Sequence, residues 1–84
     1  MGLIARFLAK RADRAITDWM CAEIRPAPGA SIVAATAYGA YHDWCRENRR
    51  RIDMERLWTA LRRFPRERRG ERLYYLDIEL REAA

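Results

Sequence analysis

The hydrophobic period of this chain changes at Pro65. Upstream, apolar residues recur at three- and four-residue steps; from Leu73 to Leu80 the chain alternates. Steps of three and four put side chains on one stripe of a helix, and a step of two puts them on one face of a strand. A chain that carries both patterns is expected to be α+β. Its 84 residues, 10.0 kDa, leave room for a single domain, 1–84. A core this small buries roughly 60–65% of the unfolded surface, which makes room for a partner chain.

Residues 3 to 25 read as a long first helix, with Ile4, Phe7, Leu8, Ala12, Ala15, Ile16, Trp19, Met20 and Ile24 on its apolar stripe. Pro26 and Pro28 are expected to end it, and Gly29 to complete a turn. Ala30–Val33 is expected to supply a three-residue strand, followed by a helix over 34–48 that carries Ala37, Tyr38, Tyr41, Trp44 and Cys45 inward. Asn48 is the expected left-handed stop, and Arg49, Arg50 and Arg51 form a basic turn. Asp53 is an N-cap for a third helix, Met54 to Phe64, whose stripe is Met54, Leu57, Leu61 and Phe64. Trp19 and Trp44 are assigned to the core. Trp58, at the border of its stripe, is read the same way, and Tyr38 and Tyr41 as core residues with exposed hydroxyls. After Pro65 comes a hairpin with Gly70-Glu71 at its turn. Tyr74, Leu76, Ile78 and Leu80 are expected on one face, and Leu73, Tyr75, Asp77 and Glu79 on the other. The units are therefore the first helix (1–25), a helix-turn-helix (30–64) and a hairpin wing (65–81), the element order of a winged helix-turn-helix.

Charge is concentrated in one third of the chain. Seventeen basic residues against twelve acidic ones give +5, and all the basic residues but Lys10 are Arg. Between Arg46 and Arg72 there are 11 Arg and five acids, a local balance of +6; the rest of the chain is at −1. A guanidinium binds two phosphate oxygens at once, so clustered Arg points to nucleic acid. The bland reading is a solvated face, and an acidic protein or lipid partner is a third.

The remaining chemistry is sparse. One His (His42), one Ser (Ser31) and two Cys supply no nucleophile–base–orienter set, and no enzyme is expected. His42 and Cys45 share a helix face, but two ligands do not make a zinc site. Asp43 and Glu47, beside Arg46, read as a solvated salt-bridge face. No metal or cofactor is expected. Cys21 and Cys45 are expected as reduced thiols in a cytoplasm. The start MGLIARFLAKR carries charge inside any apolar segment, so no secretory leader is expected, and no run of about 18 uncharged apolar residues spans a membrane.

The segment Tyr38–Asn48, with Tyr38, Tyr41, Trp44, Cys45, Glu47 and Asn48, resembles the C-terminal winged-helix domain of viral, phage and plasmid primase-helicases, the poxvirus primase type. Leu57 and Leu61 match that family's short helix, and Tyr74, Tyr75, Ile78 and Leu80 match its last strand. The match runs from about Ala15 to Leu80. Two positions depart from it: Arg49 and Asp77 stand where the family has Gly. The resemblance implies a winged helix that contacts DNA as an appendage to a helicase. This chain has no G-x-x-x-x-G-K-[ST] phosphate loop, so the ATPase would be another protein.

The expected activity is DNA binding in a replication or regulation setting. The contact residues would be Arg49, Arg50 and Arg51 in the turn, Arg56, Thr59, Arg62 and Arg63 on the third helix, and Arg66, Arg68, Arg69 and Arg72 on the wing. The alternative is a dimeric protein–protein interaction module without DNA binding, paired through Ile4, Phe7 and Leu8 of the first helix.

Overall fold

The computed structural model describes residues 14–81, so Ile4, Phe7 and Leu8 lie outside the described residues. The fold is α+β: three helices packed on one face of a three-stranded antiparallel sheet. Within the described residues helix α1 covers 14–23, strand β1 Ile24–Val33, helix α2 Ala34–Glu47, helix α3 Met54–Leu61, strand β2 Arg66–Arg69 and strand β3 Arg72–Leu80. The sheet order is β1-β3-β2. No helix among the described residues is long and apolar enough to cross a membrane.

The first helix ends at 23 rather than at the expected 25, and the chain past Pro26 is strand where a turn was expected. The chain turns directly into β1, a ten-residue strand in place of the short strand expected within 30–33. The prolines fit because β1 is an edge strand. Proline fixes φ near extended values, and its missing N–H costs little where no second neighbour needs it. Between Pro26, opposite Ile78, and Ser31, opposite Leu76, the register slips. Four residues of β1 therefore oppose Asp77 alone. Asp77 sits at φ +61° and Gly29 at φ +86°. The Gly29 N–H donates to Asp77 Oδ1 at 3.0 Å, which closes the bulge.

That bulge overturns the expected facing of β3. Leu73, Tyr75, Ile78 and Leu80 pack with the core, whereas Tyr74 and Leu76 do not. The alternation is regular up to Tyr75, slips by one residue at Asp77 and resumes at Ile78. A residue in the left-handed region breaks the two-residue period, and every side chain beyond it changes face.

Helix α2 buries Ala34, Ala37, Tyr41 and Cys45. Its stop is one residue later than expected. Asn48 has φ −98°, and the left-handed residue is Arg49, at φ +53°. The Arg50 N–H reaches the Cys45 carbonyl at 2.8 Å and the Arg49 N–H reaches that of Arg46 at 3.3 Å. This bond pair defines a Schellman stop, in which the left-handed position usually belongs to glycine. Asn48 instead donates its side-chain amide to the Trp44 carbonyl at 2.9 Å.

The Asp53 cap of α3 forms as the sequence implies: its Oδ1 accepts the Arg56 N–H at 3.1 Å. The Asp53 N–H donates to the Tyr41 hydroxyl at 3.1 Å, fixing the cap to α2. The Tyr41 hydroxyl is thus internal, not exposed. Helix α3 ends at Leu61 rather than Phe64. Arg63 and Phe64 donate three residues back, to Ala60 and Leu61, because the residue before Pro65 is excluded from helical geometry. The two helices expected within 30–64 therefore run over Ala34–Glu47 and Met54–Leu61.

The core is Ala15, Ile16 and Trp19 of α1, the buried face of α2, Leu57 and Leu61 of α3, and Tyr75 and Ile78 of β3. Trp19 meets Tyr41 edge to face at 5.4 Å. Trp44 packs at the core margin. Trp58 departs from its expected place: it is 47% exposed.

Candidate nucleic-acid interface

The basic residues come from three consecutive pieces of chain: the turn 49–51, the outer side of α3, and the β2–β3 hairpin. The turn precedes α3 and the hairpin follows it. An eight-residue helix is about 12 Å long, so the two basic pieces flank its ends.

In the turn, Arg50 bonds Asp18 of α1 at 3.2 Å, and its guanidinium lies 5.6 Å from the Trp44 ring centre. It is a tether between α1 and the turn. Arg49 and Arg51 are exposed, and neither makes an ion pair among the described residues.

On α3, buried Leu57 and Leu61 set the inward direction. Arg56, Thr59 and Arg63 lie on the flank toward α1, where they line an open groove of about 550 Å³ with Ile16, Met20 and Cys21. Trp58 lies on the opposite flank, against Tyr38, with Arg62 one turn further on. Arg56 Nε pairs with Asp53 Oδ2 at 3.2 Å. The Thr59 hydroxyl donates to the Glu55 carbonyl at 2.9 Å, so its proton is already used. Arg63 Nε donates to the Ala60 carbonyl at 3.1 Å, which leaves its terminal nitrogens to solvent. Arg62 makes no ion pair among the described residues.

In the hairpin, Gly70 occupies the first turn position at φ +63°, the conformation that glycine adopts without strain. The register then splits the four hairpin arginines. Arg66 is opposite Tyr75 and Arg68 opposite Leu73, so both share the face that carries the helices. Glu67 is opposite Tyr74, and Arg69 is opposite Arg72, on the far face. Arg69 is engaged there: it donates twice to Glu67 Oε2, at 3.1 and 2.9 Å, and its guanidinium lies 5.0 Å from the Tyr74 ring centre. The expected four-arginine wing surface is thus two pairs on opposite faces, because side chains alternate along any strand.

Between α3 and the inner hairpin face is a group of aromatics. The Tyr38 ring stands edge-on to Trp58 at 6.3 Å and to Tyr75 at 6.4 Å. The Tyr38 and Tyr75 hydroxyls are 3.0 Å apart. Burial, then the bond to Tyr38, raises the Tyr75 phenol well above its ordinary value, while the charge of Arg66 acts in the opposite sense. Burial pushes Tyr41 up to about 12. Both phenols stay neutral at physiological pH and serve as hydrogen-bonding core groups. Among the described residues no group of three or more His, Cys, Asp and Glu side chains is placed to hold a metal ion.

The sequence reading missed the exposure of Trp58 and the two-faced hairpin. Both had a signal. The Leu57/Leu61 direction puts position 58 well off the stripe, and a two-residue turn at Gly70-Glu71 fixes which arginines share a face. Comparison with protein-family models, with curated proteins and with solved structures gives no match to this chain.

Proposed function

We propose that this chain is a winged helix-turn-helix that binds DNA, with α3 as the groove-facing helix and the β2–β3 hairpin as the wing. The observation that carries the reading is the set of guanidinium groups that pair with no carboxylate among the described residues. Arg49 and Arg51 precede α3, Arg62 and Arg63 close it, and Arg66 and Arg68 follow on the helix-bearing face of the hairpin. Side chains left uncompensated in one stretch of chain create a positive field suited to a polyanion. Arg50, Arg56 and Arg69 are committed to Asp18, Asp53 and Glu67, and Arg72 faces away with Arg69. These four leave the contact set.

Two further observations support the winged-helix part. The order α1-β1-α2-α3-β2-β3 with β3 central in the sheet suits a wing that projects beyond α3. Arg49 and Asp77, which stand where the resembled primase-helicase domain has glycine, both lie at positive φ. On that resemblance the setting is replication or regulation, with any ATPase supplied by another protein.

The test is a fluorescence-anisotropy titration of the full chain with random-sequence duplex and single-stranded DNA at two salt concentrations. If the six groups touch phosphate, log K falls against log salt with a slope of roughly −5 on duplex. No anisotropy change with either DNA at low salt would overturn the proposal.

A further inference from the structure

Among the described residues, Trp58 is the exposed large hydrophobic side chain, at 47%. Its ring is not loose. Tyr38 stands edge-on to it at 6.3 Å, and Tyr38 is held in turn by the 3.0 Å hydroxyl contact to Tyr75, which is 2% exposed. A relay of aromatic contacts therefore runs from the core to the surface and fixes the outermost ring. Two arginines without a carboxylate partner among the described residues belong to elements that carry this relay or pair with them. Arg62 is one helical turn further along α3, and Arg66 lies opposite Tyr75 across the β2–β3 ladder.

We propose that Trp58 is a stacking platform for an unpaired nucleobase, with Arg62 and Arg66 holding phosphates beside it. This inference rests on the nucleic-acid reading above and says for which form of nucleic acid the Trp58 patch adds affinity. In a duplex, neighbouring base pairs cover both flat faces of each base, and a groove exposes only edges and phosphates. An indole carries one donor and no acceptor, so it reads edges poorly. Its flat face gains full contact only against a base that has left the stack, and such stacking tolerates any base because every base has a π-face. Cations beside an aromatic platform suit an occupant whose flat groups are strung along an anionic backbone. A single strand is such an occupant, since each base lies between two phosphates. The Trp58 patch therefore adds affinity for strands with unpaired bases that a blunt duplex does not gain, with little sequence preference.

The experiment uses the full chain, wild type, Trp58→Ala and Trp58→Phe. Each is titrated by anisotropy against labelled oligothymidylate of about 15 nucleotides, enough to cover one such site, against an abasic oligomer of the same length, and against a blunt duplex. Far-UV circular dichroism confirms that the variants fold, which an exposed side chain permits. Trp58→Ala should weaken oligothymidylate binding by about 10-fold or more, and Trp58→Phe by only about 3-fold. Neither should change binding to the abasic strand or the duplex by more than about 2-fold, because phosphate contacts alone carry those. If all three proteins bind oligothymidylate equally, the stacking proposal is wrong and the nucleic-acid reading stands. If no DNA binds at low salt, both fall, and the patch belongs to some other kind of partner.

Discussion

Arg49 holds a left-handed backbone conformation that costs an ordinary residue about 1–2 kcal/mol, at the stop of α2 where glycine would be free of strain. Its exposed side chain makes no ion pair in return among the described residues. Arg49→Gly is therefore expected to stabilise the chain by about 0.5–1 kcal/mol in urea unfolding. The same change should make the salt dependence of DNA binding shallower by about one unit of slope. If the variant is less stable than wild type, the Schellman stop is not where the strain lies. Asn48 was the natural residue to choose from composition, because Asn tolerates this region. The stop is set instead by which carbonyls the chain reaches, Cys45 and Arg46, and composition does not report that.

Tyrosine ionisation is the other residue-scale consequence. Burial raises Tyr41 from 10.0 to about 12, and Tyr75 also moves upward. A phenol whose folded pKa lies above its unfolded one contributes stability that is full below the unfolded value. That contribution is lost as pH rises through the folded value. Urea midpoints should be insensitive to these two groups up to about pH 10 and fall between about 10 and 12. Tyrosinate absorbance, followed in parallel, should show the buried phenols ionising only with unfolding. Ionisation of all four tyrosines in the folded chain at pH 10 would contradict the buried hydroxyl contacts.

At the level of elements, the β1–β3 bulge decides which half of β3 faces the core. Asp77 carries it twice, through its positive φ and through its carboxylate on the Gly29 N–H. Asp77→Ala keeps the strain and loses the bond, and should cost about 1–3 kcal/mol. Asp77→Gly loses the bond but relieves the strain, and should come out within about 1 kcal/mol of wild type. Thermal unfolding of the two variants side by side checks the ordering, and equal losses would show that the carboxylate alone matters. This pair also marks the limit of sequence reading at this scale. The Asp53 cap and the Gly70 turn were legible because each acts on its own neighbours within three residues. The slip at Asp77 joins β1 to β3 across 48 residues, and neither local period records it. The prolines of β1 misled for the same reason: they rule out a helix, but only the partner strand tells whether an edge can accept them.

For the whole molecule, the hairpin's two faces give the sharpest test of the interface. Replacing Arg62 and Arg66 with Gln should reduce the salt slope of DNA binding by about 2 and weaken binding at every salt concentration. Replacing Arg69 and Arg72 with Gln should leave the slope within about 0.5 of wild type, since those groups lie on the far face with Glu67. An equal effect of the two pairs would show that the polyanion wraps both faces of the hairpin. The basic cluster was legible in the sequence as composition. Which of its members point the same way was not, because that depends on pairing register and on which carboxylates fold back onto them.

The outer strands of the sheet have a consequence for self-association. One rim, β1, carries two prolines; the other, β2, is four exposed charged residues long. Neither rim offers the flat, apolar, hydrogen-bonding border that lets one sheet zip onto another. Along these two rims, copies that meet at high concentration find no seam on which to grow into a continuous ribbon, and a pairing made there would rest on side chains rather than on backbone.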